Sequence, residues 1–330
     1  MDLQRPLLQS HVRVLRRGPD AVQVGLVDSG IVVSGLAEDE IEQLARLDRE
    51  RHCRPGRAPS DPGRRRPRLL VDSSRLGRVI DALAAHHLLL DRATPLDDLR
   101  QVSPRRIWGF APDAAARGCA YGLSDDGFSL LAQRRHRHVL VDGEGRLGAQ
   151  IARCLRDGGV GRVDSGEDAV GSADLGLRRR TGPRPDLVVI VADGTVAHPR
   201  AQSWRAHDVP HLPVVVDGPT LHVGPLVAGP GPCLRCLDLH RTDRDPQWPQ
   251  LPEQLDACRP SATRPVDAES GLRALATGLV ATFAYALLDG HDVPTGLATT
   301  YRLPSPQATH HVWHPHPGCR ECAARATMGP

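Results

Sequence analysis

The sequence predicts a doubly wound α/β domain preceded by a small α+β domain. Three observations carry this expectation. A glycine loop, Gly143-Glu-Gly145-Arg-Leu-Gly148, stands between a strand-like run and a helix-like run. From residue 138 onward apolar strands alternate with helical patterns, as in a parallel sheet with crossover helices. Two CxxC pairs, Cys233/Cys236 and Cys319/Cys322, lie in the same half of the chain.

The small domain is expected over residues 1–95. Residues 11–15 and 22–26 are β-rich runs, with Gly18-Pro19-Asp20 between them as a turn, and 31–33 is a third run. Residues 38–47 place Ile41, Leu44 and Leu47 at helical spacing behind an acidic first turn. Residues 76–87 place Leu76, Val79, Ile80 and Leu83 on one helical face. Between these helices, residues 51–68 hold seven arginines and four prolines, the composition of a disordered loop. Strands followed by helices in so short a stretch suggest a compact winged-helix-like module. Residues 96–135, punctuated by Pro104, Pro112 and Gly127, are expected to be a connector.

The large domain is expected over residues 136–330. Residues 138–141 form its first strand and 146–155 its first helix. Asp186-Leu-Val-Val-Ile-Val is a strand apolar on both faces, as parallel strands covered by helices are. Leu212-Pro-Val-Val-Val216 is another strand.

Composition narrows the chemistry. The 330 residues carry a net charge of only +3, which does not mark a nucleic-acid binder. The chain contains no lysine, so all its permanent cations are arginines. That excludes a Schiff-base lysine, a lysine base and a phosphate-loop ammonium. No secretory signal is visible, and the longest uncharged apolar run, 274–288, is shorter than the roughly 20 residues of a membrane span. The expectation is a cytoplasmic protein without a membrane partner, whose eight cysteines stay reduced.

A CxxC turn aims two thiolates at one centre, and two such turns complete the tetrahedral sulfur shell that Zn2+ prefers. Cys233, Cys236, Cys319 and Cys322 are therefore candidate ligands of a closed, structural zinc. A redox role for the CxxC turns is the alternative. His310, His311, His314 and His316 crowd the second pair, either as further metal ligands or as exposed side chains.

In a strand-loop-helix context, Gly143, Gly145 and Gly148 would bring backbone N–H groups and a helix N-terminus to a phosphate. The same glycines would also allow close helix–sheet packing. Asp164 follows at about the 20-residue distance of a ribose-binding acid, which keeps an NAD-dependent oxidoreductase open.

Over residues 136–325 the order of motifs resembles the ThiF/MoeB family of ubiquitin-activating-type adenylyltransferases. The glycine loop comes first, then Asp186-Leu-Val-Val-Ile-Val-Ala-Asp193, then Gly229-Pro-Gly-Pro-Cys-Leu-Arg-Cys236, a long apolar helix at 271–288 and the second CxxC pair. The resemblance implies a Rossmann-like, ThiF-type domain that binds ATP and Mg2+. It implies adenylation of the C-terminal carboxylate of a peptide or small ubiquitin-like protein, within a homodimer. By position it implies that Gly143, Gly145, Gly148, Asp168, Arg178 and Asp193 line the nucleotide and metal. Cys258 falls where some members carry a reactive cysteine. The chain departs from the family pattern in three places: the first acid before Asp168, the register of Arg178, and the family's lysine. Residues 5–92 also resemble the peptide clamp of partner proteins of azoline-forming cyclodehydratases. That resemblance implies a catalytically silent ThiF-like scaffold that binds a leader peptide for a partner enzyme.

Overall fold

The computed structural model describes residues 6–9, 12–26, 30–52, 74–86, 88–91, 104–123, 125–165, 184–196, 198–257 and 265–326. They fall into two compact units, residues 1–132 and 133–330.

In the first unit, β1 (Pro6–Leu8) pairs antiparallel with β5 (Leu89–Asp91). A second sheet has the order β2 (Val14–Arg16), β3 (Ala21–Val24) and β4 (Ile31–Ser34), all antiparallel. The turn at 18–20 closes with the N–H groups of Arg17 and Gly18 donating to the Ala21 carbonyl. Helix α1 (Glu38–His52) starts on Glu38, Asp39 and Glu40, which favour its positive end. Glu40 also reaches back to accept from the Ala37 N–H at 2.9 Å. Ile41, Leu44 and Leu47 of α1 meet Leu76, Val79, Ile80 and Leu83 of α2 (Ser74–Ala85) in one core with Val22 and Val24. The apolar periodicity of both helices predicts these contacts.

The small sheet turns its other face outward. Leu15, Gln23 and Val32 form one cross-strand row, and Leu15 and Val32 are 39% and 47% exposed. Within the stretch 96–135, where the sequence predicts a connector, stand α3 (Pro104–Ala120) and α4 (Phe128–Arg134). Gly127 is required there: it has φ 74°, and a Cβ on it would lie 2.1 Å from the Ala114 carbonyl oxygen.

The second unit is built on a seven-stranded sheet of order β12-β11-β10-β9-β8-β6-β7. Strands β7 (Arg162–Ser165), β6 (His138–Asp142), β8 (Leu187–Asp193) and β9 (His211–Asp217) are parallel. Strands β10 (Thr220–Val223), β11 (Leu297–Arg302) and β12 (Ala308–Val312) extend the sheet antiparallel.

Alternate residues of the parallel strands enter different cores. Val139, Val141, Leu187, Val189 and Val191 face α5 (Arg146–Asp157) and α9 (Ser270–Leu288). Leu140, Val188, Ile190 and Ala192 face α6 (His198–Ala206), α7 (Leu234–Arg244) and the four cysteines. Burial on both faces is why these strands read as unbroken apolar runs. Among the described residues, α9 alone has the length and hydropathy to cross a membrane. Leu272, Ala276, Val280, Ala284 and Leu288 on one of its faces lie in the core beneath the sheet.

Candidate functional site

Strand β6 and α5 position the glycine loop at the carboxyl edge of the parallel strands. Gly145, at φ 104°, is the N-cap of α5. Each glycine is enforced by the chain's own packing. A Cβ on Gly143 would lie 2.6 Å from the Val191 Cβ, and one on Gly148 would lie 2.5 Å from the Gly143 carbonyl oxygen. A Cβ on Gly145 would lie 2.4 Å from the Val266 carbonyl oxygen. The segment before α9 therefore lies directly on the loop, and the Val266 N–H donates to the Glu144 carbonyl at 2.8 Å. Asp267 fastens it further, pairing with Arg146 of α5 and with Arg273 of α9.

The neighbouring strands β6 and β8 flank the point where the connections change direction, the usual place for a ligand crevice. Arg200 spans it. Its Nε and Nη2 donate to the two carboxylate oxygens of Asp142 at 2.9 and 2.8 Å. Its Nη2 also donates to the Asp142 carbonyl and its Nη1 to the Val191 carbonyl, at 2.8 and 3.1 Å. The Asp142 side chain is only 5% exposed, so this pair is a partly buried clasp over the ends of both strands. Asp193 ends β8 in an exposed position. Next to it, Gly194 lies beneath Leu255 of α8 (Gln250–Ala257). Asp164 is held by His138 at 2.9 Å and by Arg162 at 2.8 Å. Asp168, Arg178 with its neighbours Arg179 and Arg180, and Cys258 lie outside the described residues, as do residues 53–68 of the arginine-rich segment.

The four CxxC cysteines converge. Cys233 is the N-cap of α7 with Cys236 one turn in, and Cys319 immediately precedes α10 (Arg320–Ala326) with Cys322 one turn in. Both helix N-termini thus face the cluster, an arrangement that favours thiolates. The sulfur–sulfur distances are 3.8 Å for Cys233–Cys236, 3.6 Å for Cys233–Cys319, 3.4 Å for Cys236–Cys322 and 3.6 Å for Cys233–Cys322. A tetrahedron of metal–sulfur bonds of 2.3 Å has edges of about 3.8 Å. The four buried thiols fit such a shell and could hold a metal ion. A hydrogen bond from Cys233 lowers the Cys236 thiol below the usual thiol range and raises Cys233. Burial raises Cys319 to about 11. Arg205, itself buried, brings its Nη2 to 3.9 Å from the Cys322 sulfur and donates through Nη1 to the Gly229 carbonyl. Its positive charge suits a tetrathiolate centre.

Sequence reasoning did not find Arg200, Asp142 or Arg205. The signal for Asp142 is an acid that closes an otherwise apolar strand. The arginines carry no local signal, because their partners are distant in sequence.

The fold of the second unit defines a Rossmann-like α/β domain with an antiparallel extension and a four-thiol cluster. No family model matches the chain, and no curated protein matches it in sequence. Solved structures match it in fold. A heterocyclase in complex with substrate and cofactor matches with TM-score 0.60 and 16% identity, over 96% of this chain and 39% of that one. The heterocyclase TruD matches with TM-score 0.57 and 15% identity, over 96% and 42%. E. coli MccB, solved with MccA, matches with TM-score 0.56 and 12% identity, over 96% and 99%; it has also been solved with ATP. The chain spans less than half the length of the heterocyclases and nearly all of MccB. At these identities the likeness is one of fold, and it supports the ThiF/MoeB-like fold that the ordered motifs imply.

Proposed function

We propose that the protein is a ThiF-like scaffold that binds a leader peptide and presents it to a heterocyclase, without adenylating it. The observation that carries this reading is the small sheet of the first unit. Strand β4, Ile31-Val32-Val33-Ser34, pairs only with β3 among the described residues and carries no charge. An uncharged edge of unpaired N–H and C=O groups is a template for another strand. The opposite edge, β2, is less suited, because Arg16 there is folded onto Glu38 and onto the carbonyls of Gly18 and Pro19. A peptide adding to β4 would gain main-chain hydrogen bonds, and its side chains would cover half-buried Ile31 and Val33 on one face and exposed Val32 on the other.

On this reading the second unit serves as structure. The thiols hold one Zn2+, which supplies a closed cross-link between α7 and α10. The Arg200–Asp142 clasp occupies the crevice where ATP and Mg2+ would otherwise sit near Gly143, Gly145, Gly148 and Asp193. Opening it would leave a mostly buried carboxylate unpaired, at a cost of about 3 kcal/mol or more. The protein works in the cytoplasm beside its partner enzyme.

The test is fluorescence anisotropy with labelled leader peptides from candidate precursor peptides. Binding weakened about tenfold by Val32→Asp, equivalent to about 1.4 kcal/mol, is the expected result. Undiminished binding in that variant sinks the β4 assignment. The second reading, retained adenylation, draws on the strand-loop-helix context of the glycine loop and on the full-length likeness to MccB. ATP–pyrophosphate exchange in the presence of Mg2+ and peptide would establish it and overturn the silent scaffold.

A further inference from the structure

Apart from the four cysteines, one set of metal-ligating side chains converges among the described residues: His240, Asp243 and His316, whose ligand atoms all lie within 4.8 Å of one another. His240 and Asp243 stand three residues apart on α7 and so share a helix face. His316 comes from the turn that leads into Cys319, whose N–H donates to the His316 carbonyl at 2.9 Å. The His316 Nε2 is 2.8 Å from an Asp243 carboxylate oxygen. The His316 and His240 rings meet edge to face with centroids 4.7 Å apart. The His240 Nε2 lies 3.0 Å from the His314 carbonyl oxygen, so the neutral ring carries its proton there and keeps a lone pair on Nδ1.

We infer that His240, Asp243 and His316 form a second, exchangeable site for a divalent transition-metal ion of the Zn2+ or Co2+ type. Two imidazoles and a carboxylate suit such ions, and three protein ligands leave a coordination position for water. The site differs in character from the thiol cluster. Those sulfurs are buried, whereas the Asp243 side chain is 64% exposed. Both sites draw on the same two elements. Cys236 and His240 are four residues apart on α7, and His316 and Cys319 three residues apart on the other segment. Closing the thiol cluster therefore holds the second set of ligands in place. Loading the ion needs one rearrangement at His316. Its Nε2 proton, now shared with Asp243, moves to Nδ1, and the Gly318 N–H that donates to Nδ1 at 3.0 Å turns to water.

The test uses the full chain with its thiols filled by Zn2+, desalted and titrated with Co2+. Bound metals are counted by mass spectrometry, and cobalt is followed by visible absorption. The expected result is one Co2+ per chain above the Zn2+, with d–d bands and no sulfur-to-cobalt charge transfer. Asp243→Ala and His316→Ala are each expected to lose the Co2+ and keep the Zn2+. The exposed Asp243 leaves little packing to disturb, so Asp243→Ala decides if His316→Ala also loses Zn2+. Absence of Co2+ binding by the parent chain overturns the inference. So does a thiolate charge-transfer band, or Co2+ binding undiminished in Asp243→Ala, which would trace the ion to other histidines. The Zn2+ count reads the thiol cluster separately, and peptide binding to the first unit is independent of both.

Discussion

His211 begins β9 with 1% of its surface exposed. Its Nδ1 lies 3.0 Å from the Val209 carbonyl oxygen, and its buried Nε2 has no hydrogen-bond partner among the described residues. Burial pushes its pKa down to about 4, with the nearby Arg205 charge acting in the same direction. The folded protein thus keeps the ring neutral at a pH where the unfolded chain, titrating near 6.5, has already taken up a proton. This contribution to stability is complete above pH 6.5 and is lost as pH falls toward 4. It amounts to roughly 3 kcal/mol at most. Denaturant unfolding of the parent and of His211→Gln between those limits should show a steeper acid loss in the parent. Parallel slopes would remove His211 as the cause. The cysteines give a second expectation at this scale. Replacing Cys236 by Ser removes a ligand from a cluster that belongs to the same core as Ile190, Trp204 and Leu237. The expected outcome is loss of the bound metal, measured by elemental analysis, together with a tryptophan emission shift toward that of the unfolded chain. A variant that keeps stoichiometric metal would contradict the four-thiol shell.

Among the elements, the second unit ties the residue that follows α9 into a buried ion pair between Arg134 and Asp289. Arg134 donates from Nε and Nη2 to the two carboxylate oxygens of Asp289, both at 2.6 Å, and neither side chain is exposed. Its Nη1 donates to the Gly158 carbonyl, and its guanidinium lies 4.4 Å from the centre of the Tyr285 ring. Tyr285 in turn donates to the Cys154 carbonyl at 2.7 Å, where a side chain on Gly158 would collide with it. Asp289→Ala leaves the guanidinium buried without its counter-charge and is expected to cost about 3–5 kcal/mol in chemical denaturation. The double change Arg134→Met with Asp289→Leu should cost less than the single one. None of this was legible in the sequence, because a pair 155 residues apart leaves no local pattern. The periodic elements were legible for the opposite reason. Ile41, Leu44 and Leu47 of α1, the doubly apolar β8 and the long α9 write their burial into their own spacing. Strands β11 and β12 escaped notice: Leu297-Ala-Thr-Thr-Tyr-Arg302 and Ala308-Thr-His-His-Val312 are polar on much of their surface, and only pairing makes them strands.

At the scale of the molecule, the thiol cluster was fully legible, since ligand type and CxxC spacing are local chemistry. The crevice was legible only in outline. The glycines announced a close approach, but not that Val191, Val266 and the Gly143 carbonyl make the approach. Nor did they reveal that Arg200 reaches across to Asp142. These contacts depend on how distant segments cross over the sheet, which composition and periodicity do not encode. The two units also present different kinds of surface. The first offers an uncharged strand edge beside exposed Leu15 and Val32, while the second buries its four thiols and most of its parallel strands.

The cysteine cluster also sets an order of events during synthesis. Its first pair, Cys233 and Cys236, belongs to the middle of the second unit, and its second pair belongs to that unit's far end. The parallel strands are complete once Asp217 has emerged from the ribosome, so the parallel part of the sheet can pair early, before β11 and β12 exist. The shell cannot close until Cys322 has followed. Through that interval two reduced thiols stand at the start of α7 with half a coordination sphere. They are then most exposed to oxidation, and if they hold the zinc proposed above, the supply of that ion late in translation would govern the yield of folded chain.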